Sequence, residues 1–79
     1  MKFTVRISLK NSILDPQGDA ISNSLKSLGF GNINSVRQGK IIEIDLEESN
    51  AGAGMKTIER MCNKLLVNNV IENFSIETE

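Results

Sequence analysis

Histidine, tyrosine and tryptophan are all absent from this chain of 79 residues, and cysteine and proline occur once each. Without histidine the chain lacks the usual proton shuttle near neutral pH and the commonest zinc ligand. It also cannot build a Ser-His or Cys-His nucleophilic pair. The lone Cys62 can form no disulfide within the chain, and a single thiol fits a reducing, cytoplasmic setting. Charge of neither sign prevails: nine Lys and Arg stand against ten Asp and Glu. A basic surface for nucleic acid is therefore missing. No apolar run approaches the roughly 20 residues of a membrane span. Met1 to Arg6 alternate in character and lack the apolar core of a signal peptide. Together these absences point to a soluble, cytoplasmic chain with no catalytic group, metal site or cofactor site of its own.

What is present fits one domain, residues 1–79. A chain of that length buries only about 60% of the surface its unfolded form exposes, so oligomerisation is an expected source of further core. Residues 2–10 alternate, with Phe3, Val5, Ile7 and Leu9 on one side, which predicts a half-buried strand. Asn11 to Leu14 form a loop. Asp15 and Pro16 then read as the N-cap and first position of a helix. Its Ala20, Ile21, Leu25 and Leu28 form an apolar stripe for the core. Gly29 should end it in a left-handed conformation, with Phe30 placed to turn back onto Leu25.

Ile33–Arg37 and Lys40–Glu47 read as two strands joined by a tight turn at Gln38-Gly39. With a two-residue turn Ile33 pairs with Ile44 on the core face, and Val36 pairs with Ile41 on the outer face. That outer apolar pair marks a candidate oligomer interface. Glu48 to Gly54 is expected to be a flexible loop. A second helix over 55–67 carries Met55, Ile58, Met61, Cys62, Leu65 and Leu66 on one stripe, with Asn68-Asn69 at its end. A last strand spans about Ile71 to Glu77, with Phe74 and Ile76 inward. The βαββαβ order predicts an α+β two-layer sandwich, two helices on one face of an antiparallel sheet.

Chemical candidates are few. Cys62 lies on the buried stripe with no activating partner, and reads as a small apolar residue. Glu43, Asp45 and Glu47 share a strand face at about 6.8 Å spacing. That arrangement suits a cation or acid/base pair, but equally a solvated face opposite Lys2, Arg6 and Lys10. Gly52-Ala53-Gly54 has the look of a dinucleotide-binding turn, yet Thr57 stands where its third glycine belongs. RNA binding of the βαββαβ type needs aromatics displayed on the central strands; here Phe3 points inward and the third strand displays carboxylates.

Several segments occur in a telling order: Leu14-Asp15-Pro16-Gln17-Gly18, Ser27-Leu28-Gly29-Phe30, Ser35-Val36-Arg37-Gln38-Gly39-Lys40, Met61 to Asn68, and Val70-Ile71-Glu72. The set resembles the PurS family, the small subunit of phosphoribosylformylglycinamidine synthase, over nearly the whole chain. Asn69 departs from the proline usual there, and the loop from Ala51 to Gly54 is richer in glycine than in the family. The resemblance implies a non-catalytic adaptor in purine biosynthesis, within an enzyme that makes an amidine using ATP with magnesium and ammonia from glutamine. It implies a glutaminase subunit and a large synthetase subunit as partners, and a homodimer or higher assembly. Motif membership singles out Asp15, Gln17, Gly18, Arg37, Gln38 and Lys40 as partner-contact residues, although Asp15 and Gly18 serve equally well as cap and loop formers. The alternative is a sensory domain of ACT type, which shares the βαββαβ order and binds amino acids at dimer interfaces.

Overall fold

Alternation along the first strand sets the sheet. The computed structural model describes all 79 residues, and β1 (Lys2–Leu9) is its central strand. Phe3, Val5 and Ile7 are buried, while Lys2, Arg6 and Ser8 are exposed on the other face. β2 (Gly39–Asp45) and β3 (Glu72–Thr78) both pair antiparallel to β1, in the order β2-β1-β3. The register puts Ile42 opposite Val5 and Ile44 opposite Phe3, with Phe74 opposite Ile7 and Ile76 opposite Val5. All these residues therefore share the inner face, as expected for Phe74 and Ile76. Apart from Ile41, opposite Arg6, the outer face is polar, with Asp45 opposite Lys2, Glu43 opposite Thr4, and Arg6 bonded to Glu77 at 2.8 Å.

The inner face is covered by α2 (Ala51–Met61) and a π-turn that continues it (Cys62–Leu66). Phe3, Val5, Ile7, Ile58, Cys62 and Val67 form the core, flanked by Ile42, Ile44, Phe74 and Ile76. This helix begins four residues earlier than its sequence suggests. Asn50 caps it by accepting from the Ala53 N–H at 2.9 Å, so Gly52 and Gly54 are helical. Both glycines are helical, not a flexible loop, and Gly54 marks close packing while Gly52 is exposed. A Cβ on Gly54 would strike the ring of Phe3. Gly54→Ala is therefore expected to destabilise the chain by about 1–3 kcal/mol in urea denaturation, although alanine is the better helix former by about 1 kcal/mol.

The π-turn also corrects the apolar stripe. The Val67 N–H donates to the Cys62 carbonyl, five residues back, at 3.0 Å. The wider turn carries Val67 into the core and turns Leu65 outward, where it is 84% exposed.

The α+β class, the antiparallel sheet and the two helices are those expected from the sequence. The placement of α1 (Pro16–Ser27) and of residues 33–37 differs in detail. α1 has the predicted ends. Asp15 caps its N-terminus, and Gly29, at φ 106°, permits a Schellman turn with Phe30 N–H to Leu25 carbonyl at 3.0 Å. Yet no residue of α1 joins the core, and Ile21, Leu28 and Phe30 are exposed. Residues 33–38 make no strand ladder, so Ile33 does not pair with Ile44, nor Val36 with Ile41. The turn at Gln38-Gly39 is not a hairpin: neither residue has the positive φ that the two-residue turns require. Instead the segment passes the first turn of α1, where the Val36 carbonyl lies against Gly18.

α1 and the returning segment thus form an arm beyond the sheet. The molecule extends 49 × 25 × 15 Å with a radius of gyration of 16.1 Å. A compact chain of this length has about 12 Å. Its surface of 5771 Å² compares with about 4,700 Å² for a compact protein of 8.7 kDa.

Candidate interaction site

The residues singled out by sequence meet at the base of the arm. The Asp15 carboxylate accepts two backbone bonds, from Gly18 N–H at 2.9 Å and from Gln38 N–H at 2.6 Å. Gln38 Nε2 donates to Gln17 Oε1 at 2.7 Å. Arg37 donates from Nη1 to the Ile13 carbonyl at 2.9 Å and from Nη2 to the Lys10 carbonyl at 3.0 Å. Lys40 lies opposite Ile7 and faces Glu72 at 3.9 Å. All but Gly18 and Arg37 line one polar cleft of about 230 Å³, together with Gly39 and Glu72. Asp15 is buried and Gly18 sits too close to the Val36 carbonyl to carry a side chain.

This geometry holds the Asp15 carboxyl below its ordinary range. The Gln38 N–H contributes most and the Gly18 N–H next, burial opposes them, and the Arg37 charge assists. A folded pKa below the unfolded one, about 3.9, stabilises the clasp fully above that value and loses the stabilisation as pH falls through the folded pKa. The amide resonances of Gly18 and Gln38 should therefore titrate together in an NMR series, with a shared midpoint below 3.8.

Two apolar surfaces were not foreseen as such. One is the arm itself, with Leu28 74% and Phe30 55% exposed beside Ile21. The other is a groove of about 460 Å³ between β2 and the second helix, lined by Ile42, Ile44, Met61, Leu65 and Leu66 and rimmed by Arg60 and Lys64. The sequence reads the stripe of α1 and the groove residues as core, and Ile42, Ile44, Met61 and Leu66 do pack on the core's edge; an apolar stripe says that a helix has a partner without saying which chain supplies it. The density of apolar residues from Met61 to Val67, too wide for one buried stripe, was the available signal. Ile41 projects from the outer sheet face opposite Arg6, 55% exposed, while Val36 is half-buried at the arm.

Cys62 is buried, and desolvation pushes its thiol up. Asp45 faces the N-terminal ammonium at 3.5 Å, and the carboxylates of β2 lie on the solvated face. No group of three His, Cys, Asp or Glu is placed to hold a metal ion. Gly52-Ala53-Gly54 lies within a helix and forms no phosphate-binding turn. No helix is long and apolar enough to cross a membrane.

Residues 2–79 match the family model for PurS, phosphoribosylformylglycinamidine (FGAM) synthase. The chain is 41% identical to the FGAM synthase subunit PurS of Bacillus subtilis, covering 99% of this chain and 92% of that protein. The crystal structure of Methanocaldococcus jannaschii PurS, a subunit of formylglycinamide ribonucleotide amidotransferase in the purine biosynthetic pathway, superposes with a TM-score of 0.89. It is 41% identical, covering 99% of this chain and 94% of that one. In the structure of PurLQS from Thermotoga maritima, a chain 26% identical superposes with a TM-score of 0.87, covering 96% of this chain and 93% of that one. The ACT-type alternative finds no support in these likenesses. This chain belongs to the PurS family of FGAM synthase subunits.

Proposed function

We propose that this chain is the non-catalytic adaptor of an FGAM synthase in the cytoplasm, joining a glutaminase to an ATP-dependent synthetase. The enzyme would draw ammonia from glutamine and use ATP with magnesium to convert formylglycinamide ribonucleotide to its amidine. The observation that carries this reading is the arm: an apolar surface built by well-capped structure that the chain itself leaves uncovered. Membership of the PurS family names the enzyme, and the Thermotoga maritima PurLQS structure gives the kind of partner. Ammonia is protonated in neutral water and diffuses away. A subunit that fixes two active sites relative to each other therefore contributes positioning, which can accelerate transfer without chemistry of its own.

The first partner is a second copy. The surface exceeds that of a compact chain of the same mass by about 1,000 Å², close to the roughly 800 Å² that each side of a standard interface buries. The groove beside β2 lies on the sheet face that a second helix would cover, and the outer edge of β2 is unpaired. An arm from a second copy supplies both a helix and an extended segment there. The paired molecule then presents its polar outer faces to the glutaminase and synthetase. Mixing the purified chain with both subunits and resolving them by size-exclusion chromatography tests the reading. Co-elution of all three supports it, and elution of this chain apart from both others at micromolar concentration overturns it.

A further inference from the structure

Five of the six motif residues spend their polar groups inside the chain, at the junction of arm and body. Asp15 ties three pieces of chain together: its own position at the end of the loop after β1, Gly18 in the first turn of α1, and Gln38 at the entry to β2. A helix cap needs only the first of those bonds. The second, to Gln38, spans 23 residues and closes the arm into a loop whose two ends leave the body together. Arg37 fastens the same junction to the carbonyls of Lys10 and Ile13, and Gly18 lets the Val36 carbonyl approach. The arm has no anchor in the core, so this junction is what fixes its direction.

We propose that Asp15 is a positioning residue for self-assembly: by clasping Gly18 and Gln38 it holds the arm at the angle from which it seats on a second copy. This rests on the arm-exchange reading above. A free arm samples many directions, and only a fraction of them suits docking; fixing one direction removes that loss of affinity.

Two variants separate the clasp from a simple cap. Asp15→Asn replaces one acceptor by an amide donor facing a backbone N–H. Asp15→Ser keeps a helix cap but is too short to serve Gln38 as well. Dissociation constants are measured by sedimentation equilibrium, with hydrogen exchange of β1 and α2 amides read in parallel. The expected result is that both variants associate about tenfold or more weakly than the wild type, while amide protection in β1 and α2 is kept. Wild-type affinity in Asp15→Ser would reduce the carboxylate to a cap and overturn the proposal. So would loss of β1 and α2 protection in either variant, because Asp15 would then serve the body's own fold. A wild type that stays monomeric at millimolar concentration fails the arm-exchange reading itself, before any variant is compared.

Discussion

Phe3→Ala is expected to remove most of the chain's folding stability, a loss of about 3–5 kcal/mol. The ring is fully buried and lies against Gly54, which has no side chain to move into its space. A domain of 79 residues has about 4–12 kcal/mol in total. Only ten residues of the chain are buried, which leaves the core little redundancy to absorb the cavity. Urea denaturation followed by far-ultraviolet circular dichroism should show the midpoint fall sharply, with much of the population unfolded at 37 °C. A midpoint near that of the wild type would mean that the sheet and α2 are not held together by this contact.

Leu28→Ser combined with Phe30→Ser should do the opposite. Both side chains are exposed in the single chain, so the folding of the body should be nearly unchanged. Each contributes about 1.5–3 kcal/mol when fully buried, and a pair of exchanged arms buries two of each. Self-association is therefore expected to weaken by about a hundredfold or more. The measurement is the concentration dependence of the melting temperature, which mass action gives to an associating wild type and removes from a monomeric variant. An unchanged dependence would place the interface elsewhere, with Ile41 on the outer sheet face the next surface to examine.

The contrast between these two variants marks how far the sequence could be read. Strand β1 was legible because burial on one face imposes a period of two, and Phe3, Val5 and Ile7 follow it. The ends of α1 were legible because caps are local chemistry: Asp15, Pro16 and Gly29 act within one turn of where they stand. The destination of its apolar stripe was not, since Ile21 and Leu28 look the same whether the covering surface belongs to this chain or to another. Gly52 and Gly54 misled for a related reason. Local propensity reads them as a loop, whereas the Asn50 cap starts the helix ahead of both and the approach of Phe3, 51 residues from Gly54 in sequence, requires that glycine's lack of a side chain. The hairpin expected at Gln38-Gly39 does not form because neither residue takes a positive φ and residues 33–38 run past the first turn of α1 instead of pairing with β2.

The same division holds at the site. The motif residues from Asp15 to Gly18 and from Arg37 to Gln38 were found by resemblance, and the geometry draws them together at one junction. Their internal bonding could not be read from two separated segments. The groove residues Ile42, Ile44 and Met61 carried the helix and strand periods of a core, and half-burial at an open edge leaves those periods intact. On the proposed reading, the adaptor's working surface is a piece of core whose other half lies in another molecule.

The most direct test of that account is reconstitution of the enzyme. Purified glutaminase and synthetase subunits are combined with and without this chain, and glutamine-dependent formation of the amidine is measured with ATP and magnesium. The account predicts that omission lowers the rate at least about tenfold, because ammonia transfer loses its fixed geometry. It predicts no turnover by this chain alone. An undiminished glutamine-dependent rate without the chain would contradict it.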